Sequence, residues 1–254
     1  MKPIKFRALI LTAALAATPA LAMIPLAGSA KAASAFPVVI ELFTSQGCSS
    51  CPPADALLGK LAKRADAVCL TLPVDYWDHL GWKDTLASPA NSKRQWAYAR
   101  SRGDRSVYTP QVVVNGIAHV TGHDALAIDD AIAKVRQNIA HDQVAMTIER
   151  SGDILRLRAG AGDPGNRHSE ATFWLVLYAQ AVDVAIKRGE NAGKKIRYFN
   201  VVREMSPVGM WHGKEVSIEL SQRDLASRGH DGGAVLLQAG PSGPIIGAVA
   251  LSGL

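Results

Sequence analysis

Two cysteines separated by two serines, Cys48 and Cys51, lie between a predicted strand and a predicted helix. Residues 38–43 form an apolar run typical of a strand that is buried on both faces, and leucines recur at helical spacing within residues 54–65. Two thiols at a helix start can close a small disulfide ring, and the helix N-terminus favours the thiolate of the first one. The spacing therefore predicts a redox site, while half of a metal site or an inert structural bridge would have the same spacing.

The first 32 residues predict an export signal. Basic residues precede an apolar stretch at residues 8–17, and Ala20 and Ala22 frame a small-residue cleavage site. A second candidate cleavage site ends at Ala32. A membrane anchor would need roughly 20 uninterrupted apolar residues, and prolines interrupt this segment. We expect a periplasmic or secreted protein that has no membrane contact after cleavage.

The charge of the remaining chain argues against two classes of partner. The sequence has 28 Lys and Arg residues against 22 Asp and Glu residues, and four of the basic but none of the acidic ones lie in residues 1–32. The mature chain therefore has 24 basic and 22 acidic residues, a net charge of +2. No run of five basic residues occurs, so we expect neither nucleic-acid binding nor binding to a membrane surface.

The number of cysteines also fits a redox protein. Three cysteines in a chain of 254 residues are too few for a disulfide-stabilised scaffold. Cys69, the cysteine outside the close pair, lies in an apolar run of strand length. This position predicts a small buried hydrophobic residue, and a resolving thiol is the alternative.

The chain after the signal divides into two predicted domains. Residues 36–142 alternate strand-like and helix-like stretches, and Asn115-Gly116 predicts a tight hairpin between two of the strands. Residues 143–254 contain short β-branched and aromatic runs separated by clusters of Gly, Pro, Asp and Asn, and the runs cover residues 144–150, 154–159, 172–180, 182–186, 196–205, 215–220, 233–239 and 245–251. Such runs predict a mainly antiparallel, β-sandwich-like domain. The predicted fold class is therefore an α/β domain followed by a β-rich domain.

The first of these domains resembles the thioredoxin fold. Its order is strand, Cys-x-x-Cys, helix, strand, helix, proline, hairpin and helix. The proline is Pro110, directly before the third strand, where thioredoxin-like proteins carry a cis-proline beside the cysteines. The resemblance predicts a cis Thr109-Pro110 bond, although a proline that opens an edge strand would also occur here.

Longer motifs resemble a secreted bacterial family of unknown function, numbered 1223. These motifs cover residues 41–55, 74–84, 108–111, 188–191 and 200–203. The resemblance extends over nearly the whole mature chain and implies an exported, thioredoxin-like protein. It implies no particular reaction or substrate.

The resemblance to thioredoxin-like proteins assigns roles to the two cysteines. Cys48 would attack a disulfide and Cys51 would resolve the mixed disulfide, with the hydroxyls of Ser49 and Ser50 lowering the pKa of Cys48. Two prolines follow Cys51, whereas the common pattern places one proline between the cysteines. Glu41, in the strand before the pair, is expected to carry the proton of the resolving step or, alternatively, to form a buried pair with a neighbouring group.

Residues 75–82 follow the second predicted strand and are rich in aromatic and polar groups. Trp77 and Trp82 predict apolar contacts to a substrate, and Asp75 or His79 predicts a polar one. Thr109, which precedes Pro110, is a further substrate-binding candidate. An ordinary packed insertion, whose tryptophans are core residues, is the alternative.

Residues 187–194 form a predicted loop that is rich in charged groups, and Arg203 follows on a predicted strand. A loop of this composition is expected to be solvated. The alternative is that these residues reach the thiol site and bind an anionic group of a substrate.

The predicted function is thiol-disulfide exchange with protein or small-molecule thiols and disulfides, without a cofactor. Two alternatives remain open. A carrier of a soft ion such as Cu(I) would use Cys48 and Cys51 together with His79 or Asp75. A non-catalytic binding module would keep the two cysteines as a permanent bridge.

Overall fold

The computed structural model describes residues 36–251 and residue 253, so the predicted export signal lies outside the described residues. These residues form a mixed α/β fold with a large, mostly antiparallel sheet and a second, small sheet. The strands are β1 (Val38–Thr44), β2 (Ala67–Pro73), β3 (Gln111–Val114), β4 (Ala118–Thr121), β5 (Met146–Ser151), β6 (Ile154–Ala159), β7 (Ala171–Ala185), β8 (Lys195–Trp211), β9 (Val216–Ser221), β10 (Gly232–Gln238) and β11 (Ile245–Leu251). The helices are α1 (Pro52–Leu61), α2 (Pro89–Arg102), α3 (Ala125–Asn138) and α4 (Gln222–Ser227). None of the helices in this part of the chain is both long enough and apolar enough to cross a membrane.

The large sheet has eight strands in the order β11-β10-β7-β8-β2-β1-β3-β4. Only the pairs β1–β2 and β2–β8 are parallel, and the other neighbours in this sheet are antiparallel. The sheet thus includes strands from both predicted segments, 36–142 and 143–254, and β2 and β8 join them. Their pairing is brief: Thr71 lies opposite Val201, and the Thr71 hydroxyl donates to the carbonyl of Phe199 at 2.5 Å.

Side chains that alternate along the strands divide the core between the two faces of the large sheet. Ile40 and Leu42 of β1 pack with apolar residues of α1 and α3. Phe43 points to the opposite face, where it contacts Tyr98 of α2. The small sheet, of order β5-β6-β9, packs on β7, β10 and β11 through a further cluster that includes Leu157 and Phe173. The cysteine pair connects β1 to α1. The packing of α1 on Ile40 and Leu42 of β1 therefore fixes its position.

The elements differ from the predicted ones mainly in the second half of the chain. Residues 172–186, predicted as two strands, form the single strand β7, and β8 continues to Trp211 instead of ending near residue 205. The two strands pair along almost their full length, with register shifts at Phe173 and Leu177. Such bulges let long strands twist without a break in the ladder. Helix α1 begins at Pro52, two residues earlier than predicted, because a proline in the first turn sacrifices no intrahelical hydrogen bond.

Candidate functional site

Cys48 and Cys51 form a disulfide, with their Cα atoms 5.4 Å apart. The backbone between them is a tight turn in which the amide of Cys51 donates to the carbonyl of Cys48 at 3.2 Å. Cys51 is the N-cap residue of α1, and its carbonyl accepts the first helical hydrogen bond from Ala54 at 2.9 Å. The strand-to-helix position inferred from the sequence therefore holds the two sulfurs at the helix N-terminus.

Both cysteines are buried in this oxidised form. Cys48 is 1% exposed and Cys51 is fully buried, whereas Ser49 and Ser50 are exposed. The Ser50 hydroxyl oxygen lies 3.4 Å from the Cys48 sulfur, as expected for a hydroxyl that interacts with it. The outer surface of the turn is thus formed by Ser49 and Ser50.

The loop between β7 and β8, residues 186–194, fastens the cysteine turn. Asn191 is fully buried, and its side-chain amide donates to the carbonyls of Gln46 at 2.9 Å and Cys48 at 2.8 Å. The amide of Ser49 donates to the Glu190 carboxylate at 3.2 Å. Two residues of this loop therefore reach the thiol site, although its composition favoured a solvated loop. Lys187, Arg188 and Arg203 are exposed, as such a loop predicts.

Gln46 connects the same turn to the segment after β2. The backbone amide of Gln46 donates to the Asp84 carboxylate at 2.7 Å, and its side-chain oxygen accepts from the Trp82 indole at 2.8 Å. The Trp82 side chain also packs against Gly189 of the β7–β8 loop. Trp82, which was predicted to contact a substrate, thus donates its indole N–H to a residue that precedes the cysteine turn.

Asp55 is a buried acid in the first turn of α1, and no sequence pattern predicted a role for it. It lies one helical turn after Cys51, is 2% exposed, and accepts a hydrogen bond from the Thr44 hydroxyl at 2.7 Å. Its second carboxyl oxygen is buried and has no hydrogen-bond partner among the described residues. Burial raises the pKa of Asp55 to about 8, and the nearby Asp84 carboxylate adds to the increase. The available signal was an acid among the apolar positions of a helix that starts at a cysteine.

Tyr198 lies near the same two acids. Its hydroxyl is buried and has no hydrogen-bond partner in the described chain, and its pKa is raised by burial and by Asp55 and Asp84. Burial also raises the pKa of Asp84, although three backbone amides donate to its carboxylate and act to lower that pKa. Three buried acidic groups near the start of α1, Asp55, Asp84 and Tyr198, thus have raised pKa values, and burial is the main cause.

Glu41 lies on the other face of β1 from Asp55. It is fully buried, and its carboxylate accepts from Arg94 Nε and from the Tyr98 hydroxyl, each at 2.6 Å. Arg94 in turn donates to Gln238 at 3.1 Å. This is the buried pair considered as the alternative for Glu41, and it faces α2 rather than the start of α1.

The Thr109-Pro110 peptide bond is cis, as predicted. A Cβ atom placed on Gly122 would lie 3.1 Å from Pro110 Cβ and 3.2 Å from Ala54 Cβ. Pro110 and the first turn of α1 are therefore close neighbours on either side of this glycine. The structure brings Pro110 to the base of the helix that carries the cysteines.

The aromatic segment after β2 reaches the site with one of its predicted residues. The Trp77 Cβ lies 3.1 Å from the position of a Cβ built on Gly47, the residue before Cys48. Asp75 is instead held by α2, because the Ser92 hydroxyl donates to its carboxylate at 2.5 Å. Burial raises the pKa of Tyr76 to about 12, and its hydroxyl lies beside Thr109 and Trp77. Trp77 thus lies against the residue before Cys48, Thr109 lies beside the Tyr76 hydroxyl, and Asp75 is bound to α2.

Comparisons with known proteins place the chain in a family. Residues 39–238 match the family described as Protein of unknown function (DUF1223). The chain belongs to this family. The resemblance inferred from the motifs is thereby confirmed, and the description of the family names no reaction.

Two solved structures are similar to this one. The crystal structure of protein AGR_C_4864 from Agrobacterium tumefaciens has 36% sequence identity and a TM-score of 0.75, over 85% of this chain and 94% of that chain. HBP35 of Porphyromonas gingivalis has 14% identity and a TM-score of 0.54, over 85% of this chain and 75% of that chain, which is a likeness of fold. No curated protein matches the chain.

Two further predictions concern the remaining thiol and a metal. Cys69, in β2, is 2% exposed, and burial raises the pKa of its thiol to about 12. A thiol of this kind is an inert hydrophobic residue at neutral pH, which confirms the prediction for Cys69. Within residues 36–251, no group of three or more His, Cys, Asp or Glu side chains is arranged to hold a metal ion. His79 is exposed, with its ring Nδ1 2.9 Å from the carbonyl of Tyr76.

Proposed function

We propose that this protein is an exported, thioredoxin-like thiol-disulfide oxidoreductase that acts through Cys48 and Cys51. One observation carries the proposal: a disulfide includes the N-cap residue of α1, and one helical turn later lies Asp55, a buried acid whose pKa is raised to about 8. The order of β1, α1, β2, the cis-proline and the β3–β4 hairpin supports a thioredoxin-like arrangement of this half. The disulfide suits an oxidising compartment, and we propose a periplasmic or secreted location.

The exchange proceeds in two balanced steps. In the reduced protein the Cys48 thiolate attacks one sulfur of a substrate disulfide, and the other substrate sulfur leaves as a thiolate. Cys51 then attacks the Cys48 sulfur of the mixed disulfide, which releases the second substrate thiolate. The substrate gains two electrons and the pair loses two, and a dithiol from a partner returns them. The reverse sequence oxidises a substrate dithiol.

Asp55 is suited to move the proton of the second step. Residues four apart on a helix have Cβ atoms about 6 Å apart, so a single water can connect its carboxyl group with the Cys51 thiol. An ordinary thiol has a pKa of about 8.5. In its ionised form, a carboxyl group with a pKa of about 8 therefore accepts the Cys51 proton at little free-energy cost, and in its protonated form it returns that proton in the reverse direction. In this proposal Asp55 takes the role that the sequence suggested for Glu41.

The test is a redox titration of the pair combined with turnover. The purified protein is equilibrated with glutathione buffers, and the Cys48–Cys51 state is read by thiol alkylation and mass spectrometry. Catalytic pairs have potentials between about −120 and −270 mV, whereas structural bridges lie below about −300 mV. We expect a catalytic potential and dithiol-dependent reduction of a model disulfide that Cys48→Ser abolishes and Cys69→Ala preserves. Wild-type protein without turnover would refute the proposal.

A permanent structural bridge in a binding module is the second candidate. Its support is the burial of both sulfurs and the hold that Asn191 has on the cysteine turn. This reading predicts a potential below about −300 mV and full cellular function of a Cys48→Ser/Cys51→Ser variant. A soft-metal carrier would instead retain Cu(I) in a one-to-one ratio and lose it with either cysteine. Each outcome excludes the exchange mechanism as the physiological role.

A further inference from the structure

A groove of about 600 Å³ opens beside the cysteine pair, between the start of α1 and the start of β8. Pro52, which follows Cys51 directly, and Ala56 form its helical wall. Residues 194–197 and Phe199 form the opposite wall. The groove thus begins one residue from the proposed redox centre, and the mechanism above gives it no role.

The groove runs along a free strand edge. Alternate side chains of a strand point to opposite faces, so consecutive residues such as 194–197 line one groove only if it follows the edge of the strand. On one side β8 pairs with β7 from Lys195 onwards. On the other side β2 meets β8 at Val201 and through the hydrogen bond that the Thr71 hydroxyl donates to the Phe199 carbonyl, and within the described residues no strand pairs with Lys195–Tyr198 on that side. Unpaired edges of this kind accept an added strand from a polypeptide.

The charge of the groove favours an acidic occupant. Lys194, Lys195 and Arg197 contribute three cationic groups to its rim. Asp183 is paired with two of them, with its carboxylate 2.7 Å from Arg197 and 3.6 Å from Lys195. An excess of positive charge therefore remains beside the apolar side chain of Phe199. Carboxylates of a bound segment would meet this rim while its apolar residues pack on the ring.

We propose that this groove binds an acidic segment of a substrate polypeptide as an added β-strand, next to the disulfide that the pair exchanges. The four residues of the free edge span roughly 13 Å, which suits an extended peptide better than a small thiol. The groove is also linked to the redox turn, because Lys194 donates to Asn191 at 2.8 Å and Asn191 donates to the Cys48 carbonyl. The inference rests on the proposed function and supplies its substrate class.

Binding is tested without any exchange chemistry. Oxidised wild-type protein is titrated into a labelled ten-residue peptide that has four Asp or Glu residues and no cysteine, and fluorescence anisotropy is measured. We expect binding that weakens with salt and is lost for a peptide with Lys in place of the acids. Lys195→Glu/Arg197→Glu should weaken binding about tenfold, the effect of two exposed charge contacts. The matched variant Lys214→Glu/Arg223→Glu, which makes the same charge change elsewhere on exposed residues, should bind like wild type.

A second measurement tests strand addition. Every second backbone amide of the added peptide would face β8. N-methylation of those peptide amides should abolish binding, and N-methylation of the alternate peptide amides should leave binding intact. Equal affinity for acidic and basic peptides, or equal losses for both charge-reversal variants, would overturn the inference. So would indifference to both methylation patterns.

Kinetics separate this inference from the proposed function. Acidic segments are placed beside the cystine of a model peptide, and its reduction should show a lower KM than a neutral peptide with an unchanged kcat. Turnover without any preference for acidic flanks would leave the exchange function standing and remove the groove as the substrate site. Tight binding of the acidic peptide without reduction of any disulfide would support the groove and refute the exchange function.

Discussion

Replacement of Asp55 by Asn should stabilise the protein, and the gain should grow with pH. Asparagine keeps an oxygen that accepts the hydrogen bond from Thr44, but it has no proton to lose. Burial raises the folded-state pKa of Asp55 to about 8, from the ordinary value of 3.8. The native state therefore holds a proton that the unfolded state releases above pH 4. The stability of the wild type is therefore highest below the unfolded-state pKa of Asp55. It falls as pH rises above that value, until the carboxyl group of the folded protein also ionises near pH 8.

The magnitude follows from the width of this window. Each pH unit between the two pKa values costs the wild type about 1.4 kcal/mol, and Asp55 is fully buried, so solvent screening does not reduce the effect. From pH 5 to pH 7 the advantage of Asp55→Asn should grow by about 2.5 kcal/mol. Above pH 8 to 9 the advantage should stop growing.

Urea unfolding followed by tryptophan fluorescence, at pH 5, 6, 7, 8 and 9, measures both proteins in the oxidised state. Asp66→Asn is the control, because folding lowers the pKa of Asp66 whereas it raises the pKa of Asp55. Arg64 lowers the pKa of Asp66 to about 2, so both of its pKa values lie below this range and the effect of its replacement should be constant. If the free energies of unfolding of wild type and Asp55→Asn run parallel from pH 5 to pH 8, the Asp55 carboxyl does not have a raised pKa, and its role in proton transfer fails with it.

Three other substitutions test the packing around the site. Arg94→Met should lower the free energy of unfolding by about 3–5 kcal/mol, because it leaves Glu41 buried without its cation, and double replacement with Glu41→Leu should recover most of the loss in a urea titration. Asn191→Ala removes two hydrogen bonds from the cysteine turn, so dithiothreitol should reduce the disulfide several-fold faster; an unchanged rate would show that the loop does not limit access. Gly59→Val should cost about 1–3 kcal/mol, because the Phe199 ring occupies the space of the new side chain, and Phe199→Leu in the same chain should relieve that cost; additive losses would contradict the contact.

Local patterns predicted the elements of the first half well. The strand, the helix start and the hairpin at Asn115 each depend on residues that are neighbours in sequence, and the helix around Leu58 follows from its 3.6-residue spacing. The division of the second half was less accurate. Ala181 interrupts the bulky residues of β7, and the interruption favoured two strands, whereas pairing with β8 carries the strand through it. Cross-strand partners decide such cases, and propensity alone does not.

Only part of the site was predicted, because contacts between distant segments also decide which residues surround the cysteines. Glu41 and Asp55 are both acids near the cysteines in sequence, one before and one after, and the sequence pattern suggested a role only for the first. The sheet separates them: Glu41 faces Arg94 and Tyr98 on α2, while Asp55 lies under the turn itself. Which face of a strand meets which helix depends on packing, so sequence distance could not rank the two acids.

The sequence by itself determined that two thiols stand at the start of a helix, that a proline precedes the third strand, and that the chain resembles its family. These features are local, because each is written in a few consecutive residues. The tertiary structure decided what surrounds the thiols. Asn191 reaches the Cys48 carbonyl across 143 positions of sequence, and β2 meets β8 across 130. Contacts of this range arise when separate segments bury their apolar faces together, and no short motif records them.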